Sequence, residues 1–180
     1  MSAENRGKRV LVIGIDGGTW TVLRPAMERG YMPFLKRLVE TGASGVLMST
    51  IPALTPPAWA SFQTGCNPGK TGVFCFTLLD RATRKNTFVS AEMLRETLWE
   101  AAGNAGRRVV VLNLPMSYPP KPINGCMVTG LMTPSMRSEF THPKELKAEL
   151  LKAVPGYHIF NMEGVRDVPV PQDIPGFIGR

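Results

Sequence analysis

A continuous apolar run from Arg9 to Ile15 stops abruptly at Asp16-Gly17-Gly18. The run is rich in Val and Ile, and its length predicts a strand buried on both faces. The two glycines let the backbone turn sharply and leave room beside Asp16 for an ion or a substrate. A second apolar run, Val109 to Leu114, predicts another strand of the same kind.

Between and after these runs the pattern turns helical. Phe34, Leu35, Leu38 and Val39 fall at helical spacing in a segment reaching Thr41, with Pro33 suited to its first turn and Gly42 to its end. Val46 to Thr50 reads as a second strand. Pro56 and Pro57 start a helix through Thr64, closed by Gly65, because first-turn N–H groups have no intrahelical partner to lose. Thr55 therefore falls at or next to the N-cap.

Phe74–Leu79 and Thr87–Val89 read as strands or an excursion, Glu92 to Ala105 as a helix carrying Leu94 and Leu98 on one face. Met127-Val128 begins a further strand. Pro143–Ala153 is a helix with Leu146, Leu150 and Leu151 inward. Strands alternating with helices predict an α/β fold with a largely parallel sheet flanked by helices. After Pro155 the pattern gives way to a segment crowded with Pro and Gly, which ends at Arg180 without closing any element.

The 180 residues and 43% hydrophobic share suit one globular domain, and no apolar run approaches the ~20 residues that span a bilayer. The polar start, Met1 to Arg9, leads straight into the first apolar run, and the glycines cut that run too early for an export signal. A cytoplasmic location without a membrane partner is the expectation. Cys66, Cys75 and Cys126 have no CxxC spacing, which argues against a disulfide framework or zinc knuckle and for reduced, mostly buried thiols. The net charge of +7 is spread over small clusters, Arg6–Arg9, Arg81–Lys85 and Arg107-Arg108, without interleaved aromatics. Solvated surface is the expectation, and specific nucleic-acid binding is not.

Two residues carry the chemistry. Asp16 is predicted at the carboxyl end of a buried strand, where open parallel sheets gather ligands. Its plain structural alternative is a cap for the next helix or an Asx-turn. Thr55, at a helix start, is a poor nucleophile unless a base or metal stabilises its alkoxide. The partial positive charge and N–H donors of a helix N-terminus favour an anion there. Its alternative is an ordinary N-cap threonine, contributing about 1 kcal/mol.

Gly65-Cys66-Asn67-Pro68-Gly69-Lys70-Thr71 imitates a P-loop but has three residues between its glycines where four are required, and it follows a helix. Gly14–Gly18 does not complete GxGxxG. His142 and His158, the only histidines, have no ligand spacing.

The Val-Ile-Gly-Ile-Asp-Gly segment, the Thr55-Pro56-Pro57-Ala58-Trp59 helix start, and Thr64-Gly65 with Asn67-Pro68-Gly69 together resemble the alkaline phosphatase superfamily. The branch they are most similar to is the type I phosphodiesterase and nucleotide pyrophosphatase family, over most of residues 8 to 155. The resemblance implies an alkaline-phosphatase-like fold and two divalent metal ions, usually zinc, with Asp16 and Thr55 both metal ligands. Thr55 would be the nucleophile attacking phosphorus in line, and the substrate a small phosphate ester. If the two residues share a metal, their side-chain oxygens lie within about 5 Å of each other.

The family's other ligands, an Asp-x-x-x-His, an Asp-His pair and a later His, do not occur here. Residues 8–155 therefore read as the N-terminal part of a catalytic domain, and 156–180 as an irregular segment leading to further sequence. The family's Asn twenty-one positions after the nucleophile is Phe76 here, and the His of its Pro-x-x-His-Gly stretch is Thr71. Both departures weaken a claim to nucleotides in particular. The expectation is a metal-dependent phosphoesterase. A sulfatase or phosphoglycerate-mutase-like enzyme of the same superfamily, or a non-catalytic ligand-binding α/β domain, are the other readings.

Overall fold

The computed structural model describes residues 9–159, which divide into two compact units, one up to Met48 and the other from Ser49. The irregular segment anticipated at 156–180 lies mostly outside the described residues, as does the polar start before Arg9.

The described part of the first unit contains two helices, α1 (Trp20–Glu28) and α2 (Pro33–Thr41). Pro33 opens α2 and Gly42 caps it, as the sequence predicts. The break between α1 and α2 separates what the apolar spacing left as one segment. The Thr19 side chain caps α1 by accepting from the Thr21 N–H at 3.4 Å. Trp20 donates from its indole N–H to the Gly45 carbonyl at 3.0 Å, and the Arg24 guanidinium lies 5.3 Å from the Trp20 ring centroid.

Neither of the first two apolar runs along the chain forms a strand. Arg9–Ile15 and Val46–Thr50 join no ladder, and Val10 and Leu11 are 84% and 83% exposed. Composition fixes the tendency to extend and bury, but a strand exists only where a neighbour completes the backbone hydrogen bonds. The described part of the first unit offers two helices and no ladder.

The second unit holds α3 (Thr55–Thr64), α4 (Pro68–Thr71), the hairpin β1 (Thr77–Leu79) and β2 (Asn86–Phe88), a 3₁₀ turn at Ala91–Met93, α5 (Leu98–Asn104), β3 (Val109–Leu114), β4 (Gly125–Thr129), β5 (Thr141–His142) and α6 (Leu146–Ala153). The helix predicted from Glu92 begins only at Leu98. Thr97 and Glu100 form a capping box that fixes the start there: Thr97 N–H donates to Glu100 Oε2 at 2.8 Å, and Glu100 N–H to Thr97 Oγ1 at 3.4 Å. Burial raises the Glu100 carboxyl, but the Thr97 hydroxyl and N–H and the Lys121 ammonium, 3.4 Å away, outweigh it and hold it below the usual glutamate range.

The sheet is also smaller and less parallel than predicted. Its order is β3-β4-β5, with β3 and β4 parallel and β4 and β5 antiparallel; β1 and β2 make a separate antiparallel pair. The two-residue β5 had no apolar pattern to announce it, and the helix predicted from Pro143 begins only at Leu146, after a turn. The fold is mixed α/β with small sheets.

Two cores hold this unit. Ala60, Val73, Val89, Leu94 and Met116 form one, linking α3 to the loop after β3. Trp99, Val111 and Met127 form the other, between α5 and the parallel pair. At the carboxyl end of that pair a β-bulge falls between Leu112 and Leu114. Gly130 passes so close that an added Cβ would lie 2.2 Å from the Asn113 carbonyl oxygen, so no side chain fits there. The three cysteines are free, and Cys75 is exposed, which corrects the expectation of mostly buried thiols. Arg81, Arg84, Lys85, Arg107 and Arg108 are all exposed, as solvated surface requires.

Candidate active site

Thr55 is the first residue of α3, directly after the N-cap Leu54, and is half-buried. Its support comes from the next residues: Pro56, Pro57, Ala60 and Gln63 are buried. At the other end Gly65 caps the helix, the Thr64 hydroxyl donates to the Ala60 carbonyl at 2.7 Å, and the Cys66 N–H donates to the Thr64 hydroxyl at 3.2 Å. Trp59 and Phe62 stack edge to face at 5.6 Å.

This helix start offers fewer donors than a helix N-terminus usually does. Pro56 and Pro57 have no N–H, the Leu54 N–H donates to the Pro52 carbonyl, and the Ala58 N–H closes the first turn onto Leu54. The partial positive charge of the helix remains, but an anion beside Thr55 would find few backbone donors. This revises the expectation of several open N–H groups. The P-loop look-alike resolves as a helix exit and entry, with the Asn67 side chain capping α4 through the Lys70 N–H at 3.1 Å.

Asp16 belongs to the other unit and is exposed in a turn. The Gly18 N–H donates to the Ile15 carbonyl at 3.2 Å, and the Thr19 N–H to the Gly17 carbonyl at 2.8 Å. Gly17 has φ +67°, a left-handed conformation that glycine adopts without strain. The strand end expected before Asp16 is absent, because Arg9–Ile15 forms no ladder. Asp16 is not the cap of the following helix, since Thr19 fills that role.

His142 lies in β5 and His158 is exposed after α6. Among the described residues no three His, Cys, Asp or Glu converge as a metal cluster. A surface groove of about 480 Å³ beside α5 is lined by Glu96, Glu100, Asn104 and Asn124. Its carboxylates are already engaged, Glu96 by the Asn104 amide at 3.0 Å and Glu100 by its cap and Lys121.

The sequence reading passed over Gln63, which sits fully buried in α3 with its amide N–H donated to the Pro115 carbonyl after β3. The one available signal was a large polar residue three positions after Ala60, on a helix face otherwise apolar.

The model of the type I phosphodiesterase / nucleotide pyrophosphatase family matches residues 10–169, a span that contains both Asp16 and Thr55. The chain belongs to that family. Membership points to hydrolysis of phosphoric esters. No curated protein and no solved structure matches the chain significantly. No helix among the described residues is long and apolar enough to cross a membrane.

Proposed function

We propose that this chain carries part of the active site of a metal-dependent phosphoesterase, acting on a phosphodiester or a related small phosphate ester. Thr55 is the nucleophile in this reading. The observation that carries it is the placement of a half-buried hydroxyl on the first residue of a firmly anchored helix, inside the span matched by the family.

Asp16 and Thr55 supply oxygen donors of the type that hard or borderline divalent cations such as zinc accept. An exposed carboxylate in a glycine turn has the access a ligand needs. These two residues would serve as ligands in a site of two divalent ions, with the remaining ligands outside this chain. Bound ions would lower the pKa of the threonine hydroxyl and offset phosphate charge. The scarcity of N–H donors at the start of α3 makes that compensation more necessary, because the helix itself can neutralise little.

The chain's own part in the reaction is then simple to state. The Thr55 Oγ1 forms a bond to phosphorus while the bond to the leaving oxygen breaks, and the hydroxyl proton passes to solvent. Water next cleaves the phosphothreonine, releasing phosphate or a monoester and restoring the hydroxyl. A cytoplasmic setting accompanies this reading.

The test is mass spectrometry of the full-length, zinc-loaded enzyme quenched during turnover of an aryl phosphodiester. A phosphoryl adduct on the peptide containing Thr55, lost in Thr55→Ala together with turnover, is the expected result. Undiminished turnover by Thr55→Ala would end the reading.

A further inference from the structure

Gln63 is fully buried, yet only half of its amide is satisfied. The N–H side donates to the Pro115 carbonyl, 52 residues away, whereas Oε1 is buried with no hydrogen-bond partner among the described residues. A purely stabilising core position would favour an apolar side chain of similar volume, which leaves no desolvated acceptor behind. A directional bond retained at such a cost points to a constraint on geometry.

The receiving end is rigid. Pro115 lies between Leu114, the last residue of β3, and Met116, which is fully buried with φ +62°. The Met116 N–H donates to the Leu131 carbonyl at 3.0 Å. The Ser117 hydroxyl donates to the Leu114 carbonyl at 2.6 Å and accepts the Gly130 N–H at 3.1 Å. The loop at the carboxyl end of β3 and β4 is thus pinned from several sides.

Helix α3 meets this loop through one face. Ala60 shares a core cluster with Met116, and Gln63 is three positions further along, on the same side. Ala60, Pro56 and Pro57 hold α3 through apolar contacts, which tolerate small rotation and sliding of a helix. A hydrogen bond to a fixed carbonyl does not. Thr55 lies eight residues before Gln63, roughly 12 Å along the axis, so if loss of the Gln63 bond let α3 tilt by about 5° against the loop, Thr55 would move by about 1 Å.

We infer that Gln63 is a positioning residue, whose bond to the Pro115 carbonyl sets the rotation and tilt of α3 and so the place of the Thr55 hydroxyl. The inference rests on the reading of Thr55 as nucleophile. A displacement of about 1 Å from productive geometry can lower a rate by up to ~100-fold.

The test uses the full-length, zinc-loaded enzyme and an aryl phosphodiester, with Gln63→Met, Gln63→Glu and Thr55→Ala compared with the parent. Gln63→Met keeps the length and removes the donor. It should lower kcat by ~10–100-fold with KM within about twofold, while the thermal midpoint accounts for none of the loss. In Gln63→Glu the introduced carboxyl can donate only when protonated, so kcat relative to the parent should recover as pH falls.

A Gln63→Met kcat within about twofold of the parent, with Thr55→Ala inactive, would overturn the positioning role and leave the nucleophile standing. So would a loss that tracks the unfolded fraction, or a Gln63→Glu deficit independent of pH. Normal turnover by Thr55→Ala would overturn both readings together.

Discussion

Arg9–Ile15 and Val109–Leu114 have nearly the same composition and opposite fates. The second pairs with β4 in parallel, and its Val111 is buried against Trp99 and Met127. The first joins no ladder, and its side chains stay exposed. A partner strand gives the second run its ladder but buries it on one face only: Val110 and Leu112 stay exposed, which corrects the expectation of a strand buried on both faces. The same contrast runs through the two candidate site residues. Thr55 rides on a helix held by four buried residues, whereas Asp16 sits in an exposed turn supported by local backbone hydrogen bonds.

The largest expected effect separates chemistry from support. If Thr55 is the nucleophile, as proposed, Thr55→Ala should lower turnover of the full-length enzyme by at least about 10³-fold, since no neighbour replaces the lost hydroxyl. Thr55 follows the N-cap without being the cap, so the stability cost should stay below about 1 kcal/mol. Steady-state kinetics and a thermal melt on one preparation check both halves. A melt shifted in proportion to the lost rate would make Thr55 a structural residue only.

Asp16→Ala comes next. If Asp16 is a metal ligand, as proposed, its removal should weaken zinc binding and activity by at least about 100-fold, with stability changed by no more than about 0.5 kcal/mol, because the residue is exposed. Zinc titration followed by assay of the full-length variant reads both quantities. Unchanged zinc affinity would remove Asp16 from the metal site and leave its turn a plain chain reversal.

The comparison between the apolar runs can itself be broken by paired substitutions. Met127→Ala should cost about 2–5 kcal/mol, because Met127 is buried in the second core and its loss leaves a cavity. Leu11→Ala should change stability by less than about 0.5 kcal/mol, since Leu11 is already exposed. Denaturant unfolding of both variants gives the difference directly. A Leu11→Ala cost approaching that of Met127→Ala would mean the first run is buried in the folded protein.

Helix positions were legible because their signals are local. The prolines at 33, 56 and 57 and the glycines at 42 and 65 mark α2 and α3, and hence the place of Thr55. Strand pairing was not legible, because whether β4 meets β5 antiparallel depends on residues far apart in sequence. Asp16 was found through its glycine turn, but the strand before it was inferred from composition, which names no partner. Gln63 escaped notice because its role lies in a bond to Pro115, 52 residues on. The late start of α5 could have been read from Thr97 and Glu100, which form a capping-box pattern within four residues.

That capping box gives the smallest and most local prediction. Thr97→Ala should destabilise the protein by about 1 kcal/mol, the usual cost of losing an N-cap side chain. The Glu100 carboxyl is held below its ordinary value by Thr97 and Lys121, so it binds a proton less readily folded than unfolded. Its contribution is therefore complete above the ordinary glutamate pKa and is lost as pH falls through the lowered one. The difference in thermal midpoint between parent and Thr97→Ala should be constant near neutrality and narrow in that acid range. Lys121 remains beside Glu100 in the variant, 3.4 Å away in the parent, so part of the carboxyl's shift should survive. A midpoint difference that ignored acid pH would show that the hydroxyl caps α5 without the carboxylate's help. The short helix would then owe its start to the Thr97 hydroxyl alone rather than to the reciprocal box.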